Sequence, residues 1–284
     1  MSVLPLPSST APRVALVTGA TNGIGHALAR RLLAEGTTVI VHGPTTEAVE
    51  AARERLLLAG YDAALIETEA ADFTKLAEVR ALAGRVAGRH PALDLLVNNA
   101  AVAGTDTRAV TGDGHELTNQ VNYLAPYLLT RSLWGTMGAS AHSRIVNLSS
   151  TLHRTANFNW GDMDRAKNYS RTGSYAQSKL ALTMFTRAAA AIGADRILAV
   201  SIHPGIVSSG LLPLYSRVGA RVDEGAAAVA HLASPATAIT DGAYYYGQSE
   251  APVAPLVDDP KAVARLWKAT AKVVGLDQRE PAAV

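Results

Sequence analysis

Cysteine is absent from this sequence of 284 residues. The chain therefore has no disulfide, no thiolate nucleophile and no thiolate metal ligand. The absence is compatible with a reducing cytoplasm, and we expect a cytoplasmic protein. The eight histidines are scattered without the paired spacing of metal ligands, so we expect no metal site.

Long hydrophobic runs and blocks of like charge are also missing. No uncharged apolar run approaches the roughly 20 residues that a membrane-spanning helix needs. The first residues, MSVLPLPSSTAP, lack the apolar core of a signal peptide. Lys and Arg are spread along the chain and the net charge is only +2, so nucleic acid is not an expected partner.

Short apolar runs alternate with helical patterns. RVALVTG (13–19) is typical of a buried strand, and IGHALARRLLAEG (24–36) has helical spacing and ends in glycine. Further strands are predicted at 37–43, 63–70, 93–101, 143–150, 196–205 and 242–247, and further helices at 45–60, 74–90, 112–137, 173–193, 223–234 and 260–274. This alternation predicts an α/β Rossmann fold, a doubly wound parallel sheet of about seven strands with helices on both faces.

The chain shows no internal boundary. We expect a flexible tail at residues 1–11 and one domain over residues 12–284. The least regular segments, at about 151–172 and 205–222, are predicted to be substrate loops. Within the second, GLLPLYSRVG (210–219) is apolar with a proline break, which suits either a mobile lid over an apolar substrate or an ordinary loop.

A glycine-rich turn, TGATNGIG (18–25), joins the first predicted strand to the first helix. Glycine lets a backbone turn tightly and approach a ligand closely, and the N-terminus of the following helix suits a pyrophosphate. A plain tight turn is the alternative. The position of this turn after the first strand of an alternating chain favours nucleotide binding.

Tyr175 and Lys179, in YAQSK, are four positions apart in a predicted helix and therefore share a face. A free tyrosine has a pKa of about 10 and is a poor base at neutral pH. A lysine cation held nearby favours the phenolate. The spacing alone does not distinguish a proton-transfer pair from an exposed helix face.

The glycine turn resembles the cofactor motif of short-chain dehydrogenases/reductases. Other landmarks follow in the family's order, namely NNAA (98–101), QVN (120–122), IVNLSS (145–150), YAQSK (175–179) and HPGIV (203–207). The resemblance covers residues 13 to about 275. The stretches from FNWGDMDRAKNY to the YAQSK helix and from DEGAAAVAHLAS to TDGAYYYG resemble the retinol-dehydrogenase and WW-domain-oxidoreductase-like branch.

The resemblance implies an NAD(P)(H)-dependent oxidoreductase that moves hydride between nicotinamide and a carbonyl or secondary alcohol. Tyr175 would be the acid/base, and Lys179 would lower its pKa and bind the cofactor ribose. Asn122 would hold a water that links Lys179 to solvent. Ser150 would be a second donor to the substrate oxygen, since the motif places the active hydroxyl at the second serine of the pair.

Ser150 and Tyr175 are farther apart than in many family members, which have about a dozen residues between them. The longer segment fits the retinol-dehydrogenase-like branch, and we interpret it as a loop at the mouth of the site. Phe158 and Trp160 are either substrate contacts or buried anchors of this loop.

The family's cofactor contacts also fall on identifiable positions. They are Gly19, Asn22, Gly23 and Ile24 for the pyrophosphate and ribose, Asp72 with its neighbour Phe73 for the adenine, Asn99 and Ala100 for the adenosine ribose, Tyr175 and Lys179, and Pro204, Ile206, Val207 and Ser209 for the nicotinamide end. Each has the alternative of a turn or cap. Asp72, for example, would suit the N-cap of a helix beginning near Thr74.

Cofactor preference depends on the end of the second strand. Gly43 stands where members that prefer NAD have Asp, and Pro44 where many that prefer NADP have Arg. The repulsive carboxylate is missing, and so is the usual attractive base. His42, Thr45 and Thr46 are candidates to bind a phosphate, so we favour NADP(H) over NAD(H).

Two other classes of function are weighed against the oxidoreductase. A dinucleotide-binding sensor or scaffold without catalysis should have a broken set of catalytic residues, whereas all four residues named above are present. An epimerase or dehydratase of the same fold often has a longer C-terminal region.

The expected substrate is an apolar small-molecule ketone or alcohol, and the family commonly forms homodimers or homotetramers through the helices near 112–137 and 173–193.

Overall fold

The computed structural model describes residues 13–140, 143–193, 196–205, 219 and 221–277. The strands, in chain order, are β1 Val14–Val17, β2 Thr38–Gly43, β3 Ile66–Ala70, β4 Leu95–Asn98, β5 Ser143–Leu148, β6 Ile197–His203, β7 Tyr244–Tyr246 and β8 Ser249–Glu250. The helices are α1 Gly23–Ala34, α2 Thr46–Leu58, α3 Leu76–Arg89, α4 Leu117–Asn119, α5 Ala125–Ser132, α6 Trp134–Gly138, α7 Arg171–Gly193, α8 Val222–Ala233 and α9 Pro260–Val273.

The strands form one sheet in the order β3-β2-β1-β4-β5-β6-β7-β8. All neighbours are parallel except β7 and β8, which are antiparallel and joined through Gly247 at a φ of 59°. The chain moves outward from β1 to β3 and then crosses to β4 on the other side of β1. The Rossmann fold is thereby confirmed. The expected count of about seven strands misses β8, a two-residue strand too short to leave a sequence pattern.

Helices cover both faces of the sheet, which explains why its strands are continuous apolar runs. On β1, Ala15 and Val17 face a cluster that includes Leu28 of α1. Leu16 faces the opposite cluster, with Leu124 and Leu180. A parallel sheet buried on both faces has no polar side to alternate with. In the described part of the chain, no helix combines the length and apolarity needed to cross a bilayer.

The helix predicted over 112–137 is wrong at its start and broken inside. Residues before α4 form a turn in which Gly114 has a φ of 88°, and the Glu116 carboxylate caps α4 by accepting from the backbone of Thr118 and Asn119. A π turn then runs over Gln120–Leu124. Pro126 follows it. Because proline has no N–H and crowds the carbonyl four residues earlier, it disfavours regular α-helical bonding at this point.

The C-terminal helix α9 packs onto α5 and α7 through Trp267. The Trp267 ring stacks on Phe185 with a centroid distance of 5.9 Å and meets Tyr127 edge-on at 5.3 Å. The Tyr127 hydroxyl also donates to the Trp267 carbonyl over 3.0 Å. Trp267 therefore joins α9 to both α5 and α7.

Replacing Trp267 with Ala should destabilise the fold. Truncating a buried tryptophan removes apolar contacts and leaves a cavity, which costs about 3–5 kcal/mol. The measurement is the free energy of unfolding from urea denaturation. The exposed neighbour Lys268→Ala is the control, and we expect it to change stability by less than about 0.5 kcal/mol. Equal effects of the two substitutions would contradict the role given to Trp267.

Candidate active site

A cavity of about 620 Å³ opens at the carboxyl ends of the strands. This is where a doubly wound sheet binds its ligand, because the loops separate where the strand order reverses. The sequence-predicted residues that line it are Gly19, Asn22, Gly23, Ile24, His42, Asp72, Phe73, Asn99, Ala100, Tyr175, Lys179 and Pro204. Asn122 and Ser150 are not among its described lining. Ile206, Val207 and Ser209 lie outside the described residues.

The glycine turn brings the start of α1 to the cavity. Gly19 has a φ of 63°, and a Cβ atom at this position would be 2.8 Å from the Ala100 Cα. The N-cap of α1, Asn22, makes no side-chain hydrogen bond to the helix, and the first turn carries no acidic residue. The N–H groups of this turn are therefore not capped by a side chain, as a pyrophosphate site requires.

Thr18 fastens the glycine turn to the loop after β4. Its hydroxyl donates to the Val97 carbonyl and accepts from the backbone N–H groups of Asn99 and Ala100, at 2.9 and 3.0 Å. The Asn99 amide donates in return to the carbonyls of Thr18 and Gly19. Asn99 thus shapes the turn directly. Thr18 was not predicted, because a threonine at a strand end has no distinctive spacing.

His42 has a different function from the phosphate ligand that we expected. Its Nδ1 accepts from the Gly19 N–H at 3.3 Å, and its Nε2–H donates to the Ala71 carbonyl at 3.0 Å. The ring also stacks on Phe73, with centroids 4.5 Å apart. Burial lowers the pKa of His42 to about 4. The imidazole is therefore neutral, and both nitrogens are used in joining β2 to its neighbouring loops.

A side chain at position 43 would collide with Thr21. A Cβ atom on Gly43 would lie 2.3 Å from the Thr21 Cγ2. Thr21 lines the cavity, and its carbonyl accepts a hydrogen bond from the guanidinium of Arg55 on α2. Thr45, the second predicted phosphate ligand, caps α2 instead by accepting from the Ala48 N–H. A cation from α2 is therefore bonded to the backbone of a residue that lines the cavity.

Asp72 lines the cavity but is not the N-cap of α3. Its Oδ1 accepts from both the backbone N–H and the hydroxyl of Thr74, while α3 begins later, at Leu76. The Leu76 N–H is instead satisfied by Asp113, which is 37 positions away in sequence. The capping alternative was therefore wrong because the carboxylate that serves α3 comes from a distant loop.

Tyr175 and Lys179 lie on the face of α7 that is turned toward the sheet. Each side chain is 2% exposed, and the Lys179 Nζ is 5.5 Å from the centre of the Tyr175 ring. The ammonium donates to the Leu148 carbonyl at the end of β5 over 2.7 Å. Burial lowers the pKa of Lys179 to about 7. The exposed-face alternative for this pair is excluded.

Asn122 lies in the π turn and connects two parts of the site. Its side-chain oxygen accepts from the Val102 N–H at 2.8 Å, and its amide donates to the Val102 carbonyl at 3.0 Å. The amide also lies 3.3 Å from the Ser178 hydroxyl, and Ser178 donates to the Tyr175 carbonyl. Asn122 thus joins the loop after β4 to the turn of α7 that carries Tyr175.

The two serines after β5 have different environments. The Ser149 hydroxyl contacts the Thr183 hydroxyl at 2.7 Å and donates to the Lys179 carbonyl at 3.3 Å. The Ser150 side chain is fully buried, and its oxygen accepts from the Leu152 N–H at 3.0 Å. Ser149 contributes to the described lining of the cavity, but its hydroxyl is held against α7. Ser149, and not the predicted catalytic residue Ser150, is therefore the serine found in the described lining.

The aromatic residues of the long segment after Ser150 are anchors. Phe158 belongs to the hydrophobic core, and the Trp160 ring packs on Phe158 at 4.6 Å. The Arg265 guanidinium of α9 lies 4.2 Å above the Trp160 ring. Neither aromatic is among the described residues that line the cavity. Asp164 adds an attachment by accepting from His115 and Asn119.

Several other lining residues were not predicted as contacts, among them two valines and a histidine. Val102 and Val121 give the cavity apolar wall near Asn122, and His203 lies at the end of β6. Burial and then the charge of Lys179 lower the pKa of His203 to about 4. The valines had no signal beyond their apolarity. His203 belongs to the motif HPGIV, but the motif does not indicate that its side chain reaches the cavity, which depends on how the neighbouring strands are placed.

The sequence and the fold match known proteins. Residues 13–216 match the sequence profile of the short-chain dehydrogenase family, and the chain belongs to this family of oxidoreductases, which act on CH–OH and C=O groups. Mouse retinol dehydrogenase 14 is 32% identical over 290 residues, which cover 93% of this chain and 86% of that protein. The likeness confirms the retinol-dehydrogenase-like branch.

Two more similarities extend the comparison. DnrU of Streptomyces sp. strain C5 is named as a proposed daunorubicin C-13 ketoreductase. It is 32% identical to this chain over 273 residues, which cover 93% of each protein. Gluconate 5-dehydrogenase from Burkholderia cenocepacia, solved with NADP and tartrate, has a TM-score of 0.65 and 25% identity over 82% of this chain and 92% of that one. These similarities support a nicotinamide dinucleotide cofactor.

Replacing Lys179 with Met should change how stability depends on pH in the protein without cofactor. Lys179 titrates near pH 7 when folded and near its ordinary 10.5 when unfolded. Between these values the unfolded chain binds one more proton, so this residue's contribution to stability rises with pH and is lost as pH falls.

The free energy of unfolding of the natural protein, minus that of Lys179→Met, should therefore rise by about 1 kcal/mol per pH unit between about pH 8 and about pH 10. Urea denaturation of both proteins across this range measures the difference. A difference that is independent of pH would show that the buried lysine does not titrate there.

Proposed function

We propose that this protein is an NADP(H)-dependent oxidoreductase that interconverts a ketone and a secondary alcohol on an apolar small molecule, with Tyr175 as the acid/base. The observation that carries the proposal is the buried pair of Tyr175 and Lys179 at the wall of a cavity that also contains an uncapped helix N-terminus. When bound, the nicotinamide supplies or accepts the hydride.

Tyr175 has the position and chemistry for proton transfer. In the reductive direction its hydroxyl gives a proton to the carbonyl oxygen, and in the oxidative direction the phenolate removes one from the alcohol. A positive charge on Lys179 favours the phenolate. The lysine pKa of about 7 allows this charge to change near neutral pH.

Ser150 and Asn122 complete the proposed set of catalytic residues. Ser150 provides a hydroxyl that orients the substrate oxygen and stabilises charge on it. Asn122 holds the loop after β4 against α7 through Val102 and Ser178, and we retain the prediction that it positions a water connecting Lys179 to solvent. These intact residues favour an enzyme over a catalytically silent sensor or scaffold.

The preference for NADP(H) is supported by the edge of the cavity near β2. An aspartate is missing at Gly43, where its Cβ would meet Thr21, so no carboxylate at this position repels a 2′-phosphate. Arg55 donates to the Thr21 carbonyl and provides a guanidinium in the same place. Ile206, Val207 and Ser209 are proposed to contact the nicotinamide end.

The substrate class is supported by apolar residues around the reactive end and by the relatives. Val102, Ala103 and Val121 line the cavity on the side of Asn122. Retinol dehydrogenase 14 and DnrU are named for a lipophilic alcohol and a polycyclic ketone. A screen of diverse alcohols and ketones with both cofactors would identify the substrate and the faster direction.

Location and assembly are proposed from the sequence. We propose a cytoplasmic protein that associates as a homodimer or homotetramer. The helices expected to form the contact, α5 and α7, carry α9 on their surface through Trp267. A contact at this layer would therefore include the outer face of α9, and sedimentation of the purified protein tests the subunit number.

Tyr175→Phe should retain cofactor binding and lose turnover. The substitution removes only the hydroxyl, and loss of a general acid/base typically lowers the rate by about 10²–10⁴-fold. Turnover of the best substrate and NADPH affinity are measured together. Tyr61→Phe is the matched control, because Tyr61 precedes the edge strand β3 and is not among the described residues that line the cavity. A Tyr175→Phe protein with undiminished turnover would falsify the acid/base assignment.

Arg55→Met should weaken NADP⁺ binding and leave NAD⁺ binding unchanged. Loss of one charge-assisted hydrogen bond of about 1.4 kcal/mol or more corresponds to at least about tenfold in affinity. Isothermal titration with each dinucleotide measures the two dissociation constants. Arg53→Met removes the same charge from the same helix two positions away. An equal loss in both variants, or for both dinucleotides, would reject Arg55 as the phosphate ligand.

A further inference from the structure

His153 lies three residues after Ser150, in the short helical turn Thr151–Thr155, and is fully buried. Its Nδ1 is 2.6 Å from the Ser150 carbonyl oxygen, and its Nε2 is 3.3 Å from the Ala254 N–H group. A carbonyl only accepts and a backbone amide only donates. The ring must therefore carry its proton on Nδ1 and a lone pair on Nε2.

The surroundings of His153 keep this arrangement in place. The ring packs edge-on against Tyr244 of β7, with centroids 4.5 Å apart at 63°. Burial lowers the pKa of His153, and the charge of Arg154 acts in the same direction. The neutral ring thus joins the turn after β5 to β7 and to the segment that precedes α9.

The same ring acts on the backbone of Ser150. Ser150 has extended backbone angles, with φ −154° and ψ 151°, and is the N-cap of the turn. Among its local bonds, its side-chain oxygen accepts from the Leu152 N–H, and its carbonyl accepts from both the backbone N–H and the ring Nδ1–H of His153. Rotation of the Ser150 carbonyl would break both of these bonds, so the imidazole adds a side-chain restraint to the backbone bond that already limits how the peptide of Ser150 can turn.

We propose that His153 is a positioning residue that holds Ser150 in its reactive orientation; this inference rests on the proposed function, in which Ser150 contacts the substrate oxygen. The bond to Ala254 makes the C-terminal segment part of the same support. His153 itself does not transfer a proton, since both of its nitrogens are bonded to backbone groups. Its substitution should alter kcat rather than the affinity for substrate.

Two substitutions separate the two hydrogen bonds. The amide nitrogen of Asn occupies the place of a histidine Nδ1, so His153→Asn keeps a donor for the Ser150 carbonyl. The amide of Gln extends one atom further, so His153→Gln keeps an acceptor for the Ala254 N–H and loses the Ser150 bond. Both are compared with Ser150→Ala and with the double variant that combines Ser150→Ala and His153→Gln.

The assay is NADPH oxidation with 9,10-phenanthrenequinone, an apolar polycyclic diketone, as the probe. We expect His153→Asn to keep kcat within about threefold, and His153→Gln to lower kcat at least about tenfold while KM changes less than about twofold. In the Ser150→Ala background, the Gln substitution should change kcat by less than about twofold, because the residue through which it acts is already lost.

Three results would overturn the proposal. They are equal losses of kcat in the Asn and Gln variants, the same factor for Gln with and without Ser150, and unchanged kcat in Ser150→Ala. If His153→Gln does not fold, His153→Leu fills the same buried space without either bond and carries the same expectations. Tyr175→Phe in the same assay keeps the two ideas apart, since its loss of turnover alongside additive Gln and Ser150 effects would reject only the role of His153.

Discussion

The hydrogen bond from the Lys179 ammonium to the Leu148 carbonyl fixes the relation between α7 and the central sheet at the site. Leu148 ends β5 and is followed by the serine pair, while Tyr175 lies one helical turn before Lys179. Together with the bonds from the Ser149 hydroxyl to α7, this contact sets how far the tyrosine lies from the serines. Burying an ammonium group is costly unless it is hydrogen-bonded. The Leu148 carbonyl provides this hydrogen bond when Lys179 is charged.

Most of the architecture follows from local patterns, because apolar runs and helical spacing are properties of neighbouring residues. The strands β1 to β7 and the helices α1, α2, α7, α8 and α9 lie where periodicity predicts them, with small differences at their ends. The break before α5 was missed because it depends on where glycines and Pro126 occur within an otherwise helical apolar pattern.

The site was less accessible to sequence reasoning than the fold, because its roles depend on partners far along the chain. The family motifs located Tyr175, Lys179 and the glycine turn, all of which reach the cavity. They did not reveal that His42 is fully engaged by Gly19 and Ala71, or that Phe158 is buried in the core. The residue type alone does not distinguish a histidine or phenylalanine that contacts a ligand from one that only supports the fold.

The contact between Gly43 and Thr21 has a consequence for redesign and for evolutionary change. A Cβ atom on residue 43 would lie 2.3 Å from the Thr21 methyl group, so an aspartate cannot enter this position while the threonine keeps its place. Thr21→Ser would remove that methyl group and leave Val49, whose Cγ1 would lie 3.0 Å from the added Cβ, as the nearest remaining side chain. A change of coenzyme preference at this strand end therefore involves position 21 as well as position 43, because the Thr21 side chain has to move or become smaller when a side chain is added at residue 43.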